Sequence, residues 1–272
     1  QHTILHSLGV ASVIMRNNAE TQIALPKLVA NKMFTFCTDC FPTDFKASDT
    51  GGLLYHDVPD YAASLPGIVK SWLTQTETRL KAKGPFANGA NMRVLYLSTS
   101  NLPATVQAGY VIPAMEFNGK AASAQPNDFK QIQTITPTDG QIDFPAVVAQ
   151  ITAFRPDVIF LANGEISLTE YIPRIEAAWP NGVNKPNYMM TAEEFVPEWV
   201  ETAINGSEDL RKRITGFADW FPESTGPNYD AFVARYKAAY NEDTSGESAY
   251  EAFYLLANAT VAAVNDPMTA AA

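Results

Sequence analysis

The sequence predicts an α/β protein of two lobes, each a mainly parallel sheet flanked by helices. Three observations lead there. Short β-branched or apolar runs alternate with longer stretches of helical period along nearly the whole chain, and parallel neighbours require such crossovers. At 272 residues the chain exceeds the usual size of a single core, so two are expected. Turn-forming residues gather at two places suited to lobe boundaries: Gly-Pro-Phe-Ala-Asn-Gly-Ala-Asn at 84–91, and the stretch 220–228 with Pro222, Gly226 and Pro227.

In chain order, residues 10–15 read as a buried strand. Residues 19–30 read as a helix with Ile23, Leu25 and Leu28 near helical spacing, and 33–37 as a second strand, which completes one βαβ unit. Residues 43–60 are loop-like, with Asp49, Gly51, Gly52, Asp57 and Pro59, and a helix follows over 61–80. The second lobe opens with a strand at 93–97. A helix over 103–117 comes next, with Pro103 in its first turn and Val106, Tyr110, Ala114 and Phe117 on one face. A strand at 131–135 precedes Phe144, Val147, Val148 and Ile151, spaced i, i+3, i+4, i+7 as in a helix that covers a sheet. Residues 157–162 form a near-continuous apolar strand, as expected where both sheet faces are covered. Helix 168–179, strand 187–191, a short helix over 196–204 and strand 214–217 complete the lobe. Two late helices carry apolar stripes, one of Tyr229, Phe232, Val233, Tyr236 and Tyr240, the other of Ala249, Phe253, Leu256 and Thr260. Core packing accounts for these aromatics. Residues 1–90 and 221–272 thus make lobe 1, and 91–220 make lobe 2.

Charge narrows the function. Twenty-nine acidic residues against 19 basic ones give a net charge of −10, which repels a phosphate backbone and argues against nucleic acid as a partner. The one basic run, Arg211-Lys212-Arg213, reads as the solvated end of a helix. No apolar stretch approaches the roughly 20 residues needed to span a bilayer. The two cysteines, Cys37 and Cys40, stand as Cys-Thr-Asp-Cys. That spacing suits a local loop staple, a redox pair or half of a zinc site. Zinc needs about four ligands and no second such pair exists, so the stapling or inert readings are favoured and no metal is expected. Nor is a cofactor expected. GxSxG, GxGxxG and GxxxxGK[ST] are all absent. The three histidines, His2, His6 and His56, lie in the first quarter, and a hydrolytic site would need His56 to reach the lobe cleft. The chain is therefore expected not to be an enzyme.

Several strings resemble type I periplasmic binding proteins, the extracellular solute-binding components of ABC transporters, in the branch for branched-chain amino acids and amides. Asp143-Phe144, Val147-Val148, Gln150-Ile151 and Arg155-Pro156-Asp157-Val158-Ile159 are similar to the family's sequence of helix, Pro-Asp and buried strand. Gly9-Val10-Ala11-Ser12-Val13-Ile14 followed by Leu25-Pro26-Lys27-Leu28-Val29-Ala30 looks like its first-lobe segment. Tyr229-Asp230-Ala231-Phe232-Val233 and Ala249-Tyr250-Glu251-Ala252-Phe253 resemble its late helices. The resemblance covers nearly the whole chain and lies in the order and spacing of these strings. It implies two lobes on a multi-strand hinge, with further family segments before Gln1 and after Ala272. It also implies a monomer in the periplasm or outside the cell, free or held by a lipid anchor ahead of Gln1, that passes a small polar ligand to ABC transporter membrane subunits. A sensor or receptor domain of the same fold is the alternative, and an α/β enzyme a lesser one.

Ligands of open α/β sheets bind outside the carboxyl ends of the strands. That rule places the candidate contacts at Asn17, Asn18, Thr38 and Asp39 in the first lobe, and at Ser100, Asn101, Gly164, Glu165, Glu193 and Glu194 in the second. The resemblance implies that the loops at Asn17-Asn18 and Thr38-Asp39 hold a carboxylate while Glu165 or Glu193/Glu194 meets an ammonium. In the first two loops Arg16, Asn17, Asn18, Asp39 and Cys40 replace the family's small residues.

Overall fold

The computed structural model describes residues 8–10, 12–15, 18–38, 40, 45, 48–56, 61–87, 89–100, 102–135, 140–191, 197–217, 227–241, 256–258 and 261. The chain divides into two compact units. Unit 1 joins Gln1–Asp60 to Trp220–Ala272, and unit 2 is Tyr61–Asp219.

In unit 1, β1 (Ser12–Met15), β2 (Phe34–Cys37) and β3 (Leu54–His56) form a parallel sheet in the order β1-β2-β3. Helix α1 (Asn18–Ala30) makes the crossover between β1 and β2. It buries Ala24, Leu25 and Leu28, which lie within one turn of each other and so share a face. Strand β3 falls inside the stretch expected to be loop. Its three residues are too few to display a period, and the pairing is secured from outside the strand, by Asp49, whose carboxylate accepts from the Leu53 and Leu54 amides at 2.9 and 3.1 Å.

Unit 2 begins with α2 (Tyr61–Lys83), followed by β4 (Val94–Thr99), α3 (Leu102–Ala114) and the small hairpin of β5 (Glu116–Phe117) and β6 (Lys120–Ala121). After β7 (Phe129–Thr134) come α4 (Phe144–Phe154), β8 (Val158–Ala162), a π-helical turn (Ser167–Tyr171) running into α5 (Ile172–Ala178), and β9 (Asn187–Thr191). Helices α6 (Pro197–Ile204) and α7 (Glu208–Arg211) lead to β10 (Ile214–Phe217). The five long strands are all parallel, in the order β10-β9-β8-β4-β7. One sheet face carries Leu95, Leu97, Ile159, Leu161, Tyr188 and Met190 into a core with Ile151, Leu168 and Ile175 from the covering helices. On the other face Tyr96 stacks on Phe160 at 5.1 Å and bonds to Gln107 of α3. Helices on both faces explain the unbroken burial of β4 and β8.

The first unit boundary falls at 60/61, thirty residues ahead of the expected 90/91, and the second at 219/220. The turn chemistry at 84–91 is real, but the helix before it belongs to unit 2. Arg79 of α2 donates to Asn187 of β9 at 3.0 Å, and Glu77 accepts the Asn118 amide at 3.0 Å. The helix expected over 103–117 ends at Ala114, because Asn118-Gly119 adopts positive φ at both residues (50° and 71°) and closes the β5–β6 hairpin. Arg213 departs from the solvated-run reading. Its side chain is 11% exposed and pairs with Glu176 at 2.7 Å, while Arg211 remains outside with Glu201 and Glu208. Helix α8 (Pro227–Tyr240) is present as expected, with Phe232 buried but Tyr240 65% exposed, so the aromatic stripe is core at one end only. Of the second late helix, the described residues are 256–258 and 261, all helical, while Ala249, Phe253 and Thr260 of its expected stripe lie outside the described residues.

Candidate ligand site

Strand β4 comes first in unit 2 and sits inside the sheet. The next strand, β7, lies on one side of it, while β8, β9 and β10 continue on the other. The winding therefore reverses between β4 and β8, and the helices that follow those two strands diverge. The carboxyl-end crevice left at that point is where open α/β sheets take their ligands.

Four residues shape its rim. Ser100 follows β4 and is exposed. Asn163 follows β8 and is buried; with its amide in the orientation that satisfies both neighbours, the nitrogen donates to Leu97 O at 2.7 Å and the oxygen accepts from Thr99 N at 3.2 Å, which ties the tips of β8 and β4 together. Gly164 is exposed with φ +64°, a left-handed turn that favours glycine. Glu165 is exposed, and its carbonyl accepts from Leu168 N and Thr169 N, which starts the helical run. Beneath the rim lie the hydroxyls of Ser98, Thr99 and Ser167, all buried and without a hydrogen-bond partner among the described residues. Beside them, Tyr171 Oη donates to Thr134 Oγ1 at 3.3 Å.

Ser100, Gly164 and Glu165 thus lie just beyond the carboxyl ends of the neighbouring strands β4 and β8. Asn101, Glu193 and Glu194 lie outside the described residues. In unit 1, Asn17 and Asp39 also lie outside them, and Asn18 is described only as the backbone that opens α1. Thr38 is buried. Its N–H donates to Met15 O at 3.1 Å and its hydroxyl lies 3.5 Å from the same oxygen. Asn163 and the buried hydroxyls of Thr99 and Ser167 escaped the sequence reading as individual contributors, since only the pairing of β4 with β8 brings them together. Cys37 and Cys40 form a disulfide, the stapling reading of that pair. Among the described residues no group of three or more His, Cys, Asp or Glu could hold a metal ion, and no helix is long and apolar enough to cross a membrane.

Burial raises the Tyr171 phenol against its bond to Thr134, and two carboxyls with displaced pKa values lie elsewhere in unit 2. Burial alone would raise Glu176, but hydrogen bonds from Arg213, Lys185 and Tyr188 outweigh it and hold the carboxyl below its usual range. Asp157 moves the other way. Burial raises it against the opposing bonds from the Ala87 and Arg93 amides, which it accepts at 2.8 Å each. These groups cap and pair structural elements.

An α/β unit wound outward from an inner strand, with a polar crevice at its reversal point and a second α/β unit on the same chain, defines a class of ligand-binding fold. The particular family follows from the sequence: residues 84–272 match the model for periplasmic binding proteins, and the chain belongs to that family. No curated protein matches it. Among solved structures it is similar to the leucine-binding protein LivK of Thermotoga maritima, with TM-score 0.65, 14% identity, and coverage of 97% of this chain and 69% of that one. It is similar to an ABC transporter solute-binding protein of Rhodopseudomonas palustris in complex with 3,4-dihydroxybenzoic acid, with TM-score 0.60, 11% identity, and coverage of 97% and 66%. It is also similar to the branched-chain amino acid transporter substrate-binding protein LivJ of Streptococcus pneumoniae in complex with isoleucine, with TM-score 0.57, 16% identity, and coverage of 94% and 66%. The chain therefore spans about two thirds of the length of these proteins, and at such identities the likeness establishes the shared fold.

Proposed function

We propose that this protein captures a small polar solute bearing a carboxylate outside the cytoplasm and presents it to an ABC transporter, without turning it over. The observation that carries the reading is the polar crevice at the β4–β8 reversal, in a chain that belongs to the periplasmic binding protein family. The solutes named for the similar proteins, leucine, isoleucine and 3,4-dihydroxybenzoic acid, are all small carboxylic acids. The Cys37–Cys40 disulfide supports an oxidising compartment. In this reading Glu165 and Glu193 or Glu194 meet a cationic or hydroxyl end of the solute, and the loops at Asn17-Asn18 and Thr38-Asp39 hold its carboxylate. A solute that binds one arrangement of the protein more tightly than another shifts the population toward it, and membrane subunits would read that arrangement.

The test is a thermal-shift panel on the whole protein, with leucine, isoleucine, other amino acids, simple amides, urea and 3,4-dihydroxybenzoate. A true ligand at 100 times its Kd stabilises by about 2.7 kcal/mol, which is read as a rise of roughly 5–10 °C in Tm for a protein of this size. Silence across the panel, or saturable consumption of the compound that binds, overturns the reading.

A further inference from the structure

We propose that the β4–β8 crevice of unit 2 is built for the hydroxyl group of a hydroxylated small carboxylic acid, with Thr99 and Ser167 as its specificity residues, and that it disfavours a branched aliphatic chain. This deepens the solute-binding reading and rests on it. That reading gives the solute a carboxylate, and this inference gives it a second, uncharged polar group.

The apolar side chains of the two strands stop short of the rim. Leu97 and Leu161, the last large apolar residues of β4 and β8, are fully buried in the core below, and Ile166 packs against that core. The exposed residues described at the edge are Ser100, Gly164 and Glu165. A Cβ added at Gly164 would meet nothing within 4 Å, so the edge opens onto free space there.

Thr99 ends β4 directly beneath Ser100 and is 3% exposed, with its hydroxyl unpartnered among the described residues. Its lateral neighbours are engaged elsewhere. On β7, Thr134 stands in register with Thr99, donates its proton to Ser98 O and accepts from Tyr171 Oη. At the end of β8, the Asn163 amide meets Leu97 O and Thr99 N. The direction left for a partner is the strand end, toward the crevice. Ser167 is fully buried, one turn beyond Gly164. A helical serine or threonine commonly returns its proton to a carbonyl three or four residues back, as Thr169 does to Glu165 O at 3.1 Å. Ser167 does not: Gly164 O takes its N–H instead, and the hydroxyl stays unpartnered. Ser98 faces the opposite side of the sheet, with Tyr96, and takes no part.

A buried hydroxyl without a partner costs the folded protein free energy until one arrives. A solute hydroxyl at the open edge supplies it, either directly or over one bridging water. A leucine or isoleucine side chain in the same place covers both hydroxyls, pairs neither and meets no large apolar surface. A site of this kind rejects the analogue that lacks the hydroxyl.

The experiment is calorimetry on the whole protein with pairs that differ by hydroxyl: threonine and valine, serine and alanine, 3,4-dihydroxybenzoate and benzoate. In the pair that binds, the hydroxylated member is expected to bind about tenfold more tightly or better. Thr99→Val and Ser167→Ala are each expected to cut that ratio to about threefold or less, while Tm holds or rises slightly, because a hydroxyl without a partner has been removed. A merely structural role would lower Tm and weaken both members alike. The inference is overturned if the member lacking the hydroxyl binds as well in every pair, if both variants keep the parent ratio, or if both variants lose many degrees of Tm. Should one variant fail to fold, the other decides by the same ratio. Silence from every compound overturns the solute reading and this inference with it. Binding without preference for the hydroxyl overturns this inference alone.

Discussion

Strand β4 of unit 2 is buried at all six of its positions, whereas β1 of unit 1 leaves Ile14 38% exposed and β3 leaves Tyr55 56% exposed. Both units use parallel strands with helical crossovers, but they hold their strand tips by different means. In unit 2 the tips of β4 and β8 are positioned by a sheet covered on both faces and by one buried amide, Asn163. In unit 1 the three-stranded sheet is short and depends on point connections: the Asp49 carboxylate at the start of β3, and the Thr38–Met15 bond and the disulfide at the ends of β1 and β2. Where apolar area is plentiful, packing positions a site. Where it is scarce, directional bonds and a covalent link do so.

The largest effect that probes this contrast comes from the two cores. Leu161→Ala, at the centre of the five-stranded sheet, should lower stability by about 2–5 kcal/mol, measured by urea unfolding. Leu25→Ala in unit 1 should cost less, because its smaller cluster can collapse around the void. Equal costs would break the comparison.

A second prediction concerns the ion pairs that finish unit 2. Glu176 accepts from both Arg213 nitrogens at 2.7 Å, from Tyr188 Oη at 2.8 Å and from Lys185 at 3.0 Å. Glu176→Gln should destabilise by about 2–3 kcal/mol, toward the lower end for a broken buried pair because Arg213 keeps Asp209 and Pro186 O as partners. The pH dependence has a definite sign. Folding lowers the Glu176 pKa, so its stabilisation is complete above the unfolded-chain value and is lost as pH falls through the depressed folded value. The acid limb of a plot of urea midpoint against pH should therefore be shallower in Glu176→Gln than in the parent. An unchanged limb would assign the acid sensitivity to other carboxylates.

The smallest effect is at a helix start. Asp143 accepts from Ala146 N at 3.0 Å as the cap of α4, and Asp143→Ala should cost about 1 kcal/mol, seen as a Tm lower by a few degrees. The change should leave solute affinity untouched.

Most of the fold was legible in advance because long periodic segments report their own burial. The apolar runs of β4 and β8 and the i, i+3, i+4, i+7 pattern of α4 sit where their spacing placed them, whereas in α1 Ile23 of the expected stripe is 83% exposed and Ala24 joins Leu25 and Leu28 on the buried face. The errors fell on features with no period to read. Strand β3 is three residues long, the β5–β6 hairpin hangs on one Asn-Gly pair, and the packing allegiance of α2 depends on Arg79 meeting a strand more than a hundred residues away.

By itself, then, the sequence determined the alternation of strand and helix, the parallel crossovers, the candidate strand-tip loops and the presence of a closely spaced cysteine pair, because each of these is written in local spacing. Only the tertiary structure decided which unit owns α2, that Arg213 is buried against Glu176, and that Asn163 joins the tips of two strands far apart in the chain. Those outcomes depend on which surfaces meet, and a contact between distant segments leaves no periodic trace in either one.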